Sequence, residues 1–283
     1  MAAAMLILAL AASIALRIRL DREPAQGALS PVVYVTSGAT LRRLSLGYQG
    51  LLADLYWTRA VQYFGRQKLS GTGDYHDLGQ LLHVTTELDP QLLIAYRFGA
   101  IFLAEKPPAG AGRPDEALAL IRRGIAANPS YWRLWQDLGF IYYWDLRDYA
   151  HAANAFATGS RQPGADLWMK TLAASVAAQG GELSTSRLLW YQVYSQAGNE
   201  SICRSAQEHL AAIKAAQDIA QLNKLLAEFR QHEGRPAGSI DDLVRAGMLP
   251  GRPADPSGVP YEVGPDGEAK PGRGSRVNLN LAR

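Results

Sequence analysis

The side chains best suited to metal ligation or nucleophilic chemistry are few: His76, His83, His151, His209, His232 and a single cysteine, Cys203. His76 and His83 are seven residues apart, a spacing that two helical turns would bring to one face, where paired imidazoles could hold a metal. A lone surface pair is the plainer reading. Cys203 has no disulfide partner and reads more simply as a small core residue than as a nucleophile. Gly-x-Ser-x-Gly, His-Glu-x-x-His and the Walker loop are all absent. Gly110-Ala111-Gly112 lies between prolines and follows no strand, so it is a loop and not a dinucleotide cradle. Asp255, in Asp255-Pro256-Ser257-Gly258, could ligate calcium, but an aspartate before proline more directly forms a turn. The expectation is therefore no catalytic residue, no metal and no cofactor.

The elements that carry these residues come from composition and period. The sequence is 48% apolar and 19% charged over 283 residues, enough to bury a core and too much for a disordered chain. The net charge of +3 and the lack of a basic cluster argue against nucleic acid as a partner. Residues 2–16 are aliphatic and uncharged, and Arg17, Arg19 and Arg22 follow. Fifteen residues reach roughly 22 Å as a helix, and Ile18 and Leu20 with snorkelling arginines bring it close to the ~30 Å of a bilayer core. Residues 1–20 are taken as a candidate membrane anchor or signal segment; a cleaved signal or a plain buried helix stays open. Downstream arginines favour a cytoplasmic body, and basic residues further upstream would reverse that. The location taken is membrane-associated by one anchor, with the body periplasmic sooner than cytoplasmic and its sidedness unresolved.

Residues 21–36 read as a linker, with Pro24, Gly27 and Pro31 as punctuation. Residues 37–66 read as one helix, from the spacing of Leu41, Leu44, Tyr48, Leu51, Leu55 and Phe64, ended by Gly65 and a Ser-Gly-Thr-Gly loop. Beyond it, Pro90, Pro129 and Pro163 recur 39 and 34 residues apart. Each follows a helical stretch, and an aromatic lies six residues after each of the first two: Tyr96 and Trp135. The clearest unit is Trp135-x-x-Leu138-Gly139-x-x-Tyr142, then Ala152, Phe156 and Pro163.

This pattern resembles the tetratricopeptide repeat (TPR), a helix-turn-helix of about 34 residues. The resemblance implies a mainly α fold, a solenoid of antiparallel helix pairs over residues 37–198 with its best repeat at 131–163. Gly139 and Ala152 would let two helices approach, and Trp135, Leu138, Tyr142 and Phe156 would fill the seam. The unit from Tyr96 is looser and carries an insert at residues 106–114; a first unit around Trp57 and a fourth from Trp168 are degenerate. Residues 199–233 read as one long amphipathic helix capping the array. In such repeats the first helix of each pair lines a groove. Mapped by position, the groove would include Ile94, Arg97, Ile101 and Ala104, then Arg133, Gln136, Phe140, Tyr143 and Trp144, then Met169. The aromatics with Arg97 and Arg133 would suit an extended peptide carrying carboxylates. Alternatively the aromatics pack against the helix after Ser37 or against the cap.

Residues 234–283 differ. Gly234-Arg235-Pro236, Ile240-x-x-Leu243, Gly247-Met248-Leu249-Pro250 and Asp255-Pro256-x-Gly258-x-Pro260-Tyr261 resemble the C-terminal part of type II secretion pseudopilins. That implies a short helix, a β-hairpin and a flexible tail. The pilin N-terminal signature is absent, so the chain is not itself a pilin.

The function expected is a non-enzymatic, membrane-tethered TPR scaffold in the cell envelope. It would bind other proteins or extended peptide segments, with a pilus, secretion or surface-polysaccharide system as settings. The alternative is a permanent structural subunit of a larger membrane-associated complex. An enzyme reading has no acid-base or nucleophile constellation to stand on.

Overall fold

The computed structural model describes residues 37–71 and 73–282. The candidate anchor (1–20) and the linker (21–36) lie outside the described residues. Among those described, no helix is long and apolar enough to cross a membrane.

Helix α1 (Gly38–Leu44) is opened by Ser37, whose hydroxyl accepts the Thr40 N–H at 3.2 Å. It is held down by Glu87, near the end of the helix at Leu78–Leu88, whose carboxylate accepts the Gly38 N–H at 3.0 Å. One continuous helix over 37–66 does not form. Leu46 (φ 50°) and Gly47 (φ 95°) turn left-handed and break the chain before α2 (Gln49–Ser70). Gly65 lies inside α2, which ends instead at Gly71, whose φ of 67° suits a residue without Cβ.

Four helix pairs begin with α2. They are α2 with α3 (Leu78–Leu88), α4 (Leu93–Ala104) with α5 (Pro114–Ala127), α6 (Trp132–Phe140) with α7 (Tyr149–Gly159), and α8 (Leu167–Gln179) with α9 (Leu183–Gln196). Short turns force consecutive helices antiparallel, and each packs chiefly on its sequence neighbours, a solenoid-like arrangement. The helices α3 and α5 stop within two residues of Pro90 and Pro129, since a ring without N–H cannot continue the ladder. The Asn128 side-chain amide then donates to Pro90 O at 2.9 Å, tying one turn to the equivalent turn of the pair before it. The insert at 106–114 is strapped down: Ala111 and Arg113 N–H donate to Phe102 and Leu103 O, and the Tyr75 hydroxyl donates to Pro108 O at 2.8 Å. One contiguous core runs from Ala53 in α2 to Ile213 in the long helix α10 (Glu200–Glu233).

The seam of the α6–α7 pair shows why its residue types matter. A Cβ on Gly139 would fall well inside van der Waals contact of the Phe156 ring. Ala152 and Phe156 are fully buried, and Leu138 and Tyr142 nearly so. Past Phe140, α6 does not continue as an α-helix: Ile141–Leu146 forms a π-helix closed by Arg147 in a left-handed conformation. A π turn takes up an extra residue, so the side chains beyond it are rotated by about 100° relative to an α continuation.

The long helix serves two cores. Its first half, with Ala206, Ala212 and Ile213, belongs to the repeat core; its second half, with Leu222, Leu226 and Phe229, packs on Ile240, Leu243, Tyr261 and Ala269. The C-terminal part holds α11 (Ile240–Arg245), started by a Ser239–Asp242 capping box, and a two-stranded antiparallel sheet of β1 (Glu262–Val263) and β2 (Ala269–Lys270). Tyr261 OH donates to Asp218 Oδ2 at 3.1 Å and Ala269 N–H to Asn223 Oδ1 at 2.6 Å, so the sheet is bonded to α10. The residues after β2 do not hang free as a flexible tail. Val277, Leu281 and Ala282 fold back into the repeat core, and a 3-10 turn at Leu279–Ala282 packs on α8 and α10.

Asp255 organises that return. Its buried carboxylate accepts Ser257 N–H, Val259 N–H and the Ser257 and Ser275 hydroxyls. Burial alone would raise this carboxyl, but the four hydrogen bonds outweigh it and hold it below the usual carboxylate range. A group depressed in this way stabilises the fold above its unfolded value and loses that contribution as pH falls through its folded value. Asp255→Ala is expected to remove about 2–3 kcal/mol and to free the segment around Ser275. Hydrogen exchange at Ser257, Val259 and Val277 measures it; unchanged protection would show the carboxylate holds nothing.

Candidate partner-binding groove

A cleft lies between α4 and α6, where the small Ala100 and Ala104 of α4 line it. Ala95, Gly99 and Ala100 are buried, while Ile94, Phe98 and Ile101, at helical spacing, stay exposed. Between α4 and the α6–π-helix segment lies a cavity of about 300 Å³. Its apolar lining is Ile101, Phe140, Ile141 and Trp144 with the small Ala100 and Ala104, and its polar lining is three carboxylates: Glu105, Asp137 and Asp145. Trp144 is 57% exposed over it, a large surface for a tryptophan.

Of the two arginines expected to receive carboxylates, Arg97 is already paired with a carboxylate of this chain. Arg97 makes a forked pair with the buried Asp137, Nε to Oδ2 at 2.6 Å and Nη2 to Oδ1 at 3.2 Å. Burial pushes the Asp137 carboxyl up against this pull, and the same hydrogen bonds hold the Arg97 guanidinium above its ordinary value. The bidentate geometry is that of a charged pair. Arg133 lies over the Trp132 ring, 4.4 Å from its centroid.

The remaining expected residues divide. Phe140 lies edge-on to Phe156 with centroids 5.1 Å apart and still lines the cavity. Tyr143 is half-buried; its ring meets Trp144 and Tyr149 edge-on, and its hydroxyl donates to Gln179 Oε1 at 3.0 Å. It therefore braces the π-helix against α7 and the end of α8, not against α1 or α10. Gln136 is half-buried on α6. Met169 is no groove residue: it is fully buried in the seam against Gly159.

The carboxylate rim escaped sequence reasoning. Asp137 is separated from Arg97 by forty residues, about one repeat, so aligning the units would have set the two side by side. Burial raises the Asp145 carboxyl and Glu105 raises it further, with Lys106 and Arg147 partly offsetting. Two acids thus face one opening, with the Arg147 guanidinium 5.8 Å from the Trp144 ring.

No protein-family model, no curated protein and no solved structure matches this chain. The groove must be judged from its own geometry. Among the described residues no group of three or more His, Cys, Asp or Glu side chains could hold a metal ion. His76 sits in the turn before α3 and not on a helix with His83. His83 Nε2 instead lies 3.3 Å from Glu87 Oε1. Cys203 is a free, half-buried thiol on α10.

Proposed function

We propose that this chain is a membrane-tethered helical-repeat scaffold of the TPR kind that docks an extended segment of a partner protein between α4 and α6. The observation that carries the reading is the exposed Trp144 ring over a cavity floored by Ile101 and Phe140 and rimmed by Glu105 and Asp145. Exposed aromatic rings beside a desolvated pocket are where binding energy concentrates. Because Arg97 is held by Asp137 and the open rim of the cavity is Glu105 and Asp145, the segment that fits carries an aliphatic or aromatic anchor with a lysine or arginine beside it. An envelope setting rests on the apolar N-terminal sequence alone; a topology reporter fused after residue 282 reads which side of the membrane the body occupies.

Trp144→Ala with Ile101→Ala is expected to weaken partner binding at least about tenfold, with helicity and melting temperature unchanged. Large destabilisation with no specific binding loss would make these side chains core and remove the groove. Binding of a cationic segment should also weaken in acid. The Asp145 carboxyl is raised, so it begins to protonate above the usual carboxylate range and the attraction fades as pH falls through that value. Isothermal titration between about pH 4 and 7 reads this; affinity rising in acid would reverse the charge assignment.

A second reading, permanent subunit of a larger complex, has the outer face of α9 in its favour, where Leu188 and Tyr191 stand exposed one helical turn apart. Native mass measurement of the endogenous protein separates the two: a subunit stays in one assembly, whereas a scaffold exchanges.

A further inference from the structure

We infer that the elbow between α1 and α2 is a docking surface for an anionic phospholipid bilayer. Leu44, Leu46, Tyr48 and Leu51 lie within eight consecutive residues and are 68%, 87%, 70% and 67% exposed. Leu55 continues the line along α2 and is also exposed. The opposite face of α2, with Ala53, Tyr56, Ala60 and Phe64, is already buried in the repeat core. The first turns of α2 therefore carry apolar side chains on the outer face as well as the inner one, broken only by the exposed Gln49 and Asp54, an outer face that in water still lacks its cover. The left-handed pair Leu46–Gly47 pushes the elbow outward, and nothing among the described residues covers it.

Charge selects the occupant. The net +3 hides an uneven distribution: residues 1–70 hold eight Lys or Arg against three Asp or Glu, and the remaining residues hold 21 against 23. The first part is thus +5 and the rest −2, and Arg43 is exposed within the apolar elbow itself. Aliphatic side chains with interspersed cations match the headgroup region of an anionic leaflet. The chain geometry permits it. Residues 21–37 span at most about 60 Å when extended, so a segment held in the bilayer keeps the elbow close at an effective concentration near millimolar. At that concentration even a weak surface is occupied. The inference rests on the tethered reading.

The test uses the full chain with Cys203→Ser and one new cysteine, Leu46→Cys, carrying an environment-sensitive nitrobenzoxadiazole label; Leu188→Cys on α9 is the control. Vesicles are phosphatidylcholine with or without phosphatidylglycerol. The expected result is a blue shift and quenching by doxyl lipid at position 46, stronger with phosphatidylglycerol, and neither at position 188. Adding Leu44→Ser and Leu51→Ser should cut the shift several-fold while the chain still sediments with vesicles. A chain that sediments while position 46 stays in water overturns the docking surface and leaves the tether standing. A chain that does not sediment overturns both. A label already shielded before vesicles are added overturns it too: shielding that grows with protein concentration assigns the elbow to a second copy, and shielding independent of it to the chain's own N-terminal segment.

Discussion

Truncating Phe156 to alanine is expected to cost about 3–5 kcal/mol, because the ring is fully buried at the point where α6 and α7 come closest. The ring touches the Gly139 backbone on one side and Phe140 on another, so its loss leaves a void that the turns around it cannot collapse into. The converse change, Gly139→Val, forces a side chain into the same ring and should cost about 2–3 kcal/mol. The two changes are expected to be strongly non-additive. The valine partly fills the space the ring leaves, so the double variant should be more stable than the sum of the two losses predicts, by about 1–2 kcal/mol. Urea denaturation of the four proteins measures the cycle. Simple additivity would mean that Gly139 and Phe156 do not meet.

Arg97→Ala is the second large effect. Arg97 is only partly exposed and Asp137 is nearly buried, so removing the guanidinium strands a carboxylate inside the array. Stranding one partner of such a pair costs about 3 kcal/mol at neutral pH. The sign of its pH dependence is fixed. Without Arg97 the folded-state value of Asp137 rises further above the unfolded one, so the folded state holds the extra proton between the two values and stability rises as pH falls. Denaturation at pH 7 and pH 5 should therefore show the deficit shrinking in acid. A deficit that is constant over this range would show that Asp137 keeps water or another partner. The Arg97→Ala, Asp137→Asn double variant should recover part of the loss at neutral pH, since the stranded charge is gone.

The α6–α7 seam was legible in the sequence because few residue types satisfy a close helix crossing. Gly139, Ala152 and Phe156 had to be small, small and large, and they are. The long helix was equally legible, since the spacing of its apolar residues runs unbroken over residues 200–233. The elbow was not. Leu44, Tyr48, Leu51 and Leu55 keep helical spacing across it, and a period cannot show that Leu46 and Gly47 turn left-handed. The groove was half legible. Position set Phe140 and Trp144 on one face, and both line the cavity between α4 and α6, but a position map says nothing about partners. It gave Arg97 a free charge that Asp137 takes up, and it put Met169 on a surface although a neighbouring glycine, Gly159, draws it into the core.

The C-terminal segment bears on how the chain is made. Synthesis runs from the first residue onward, so the helix pairs can stack in order as they emerge. The open end of that stack is not closed by α10 alone, because Val277, Leu281 and Ala282 supply part of its apolar cover from more than forty residues further on. A nascent chain arrested after α10 would therefore carry a bare patch on α8 and α10 that the finished chain lacks. Over that interval the patch is open to aggregation or capture by a chaperone, and a stop codon placed before residue 277 would make it permanent.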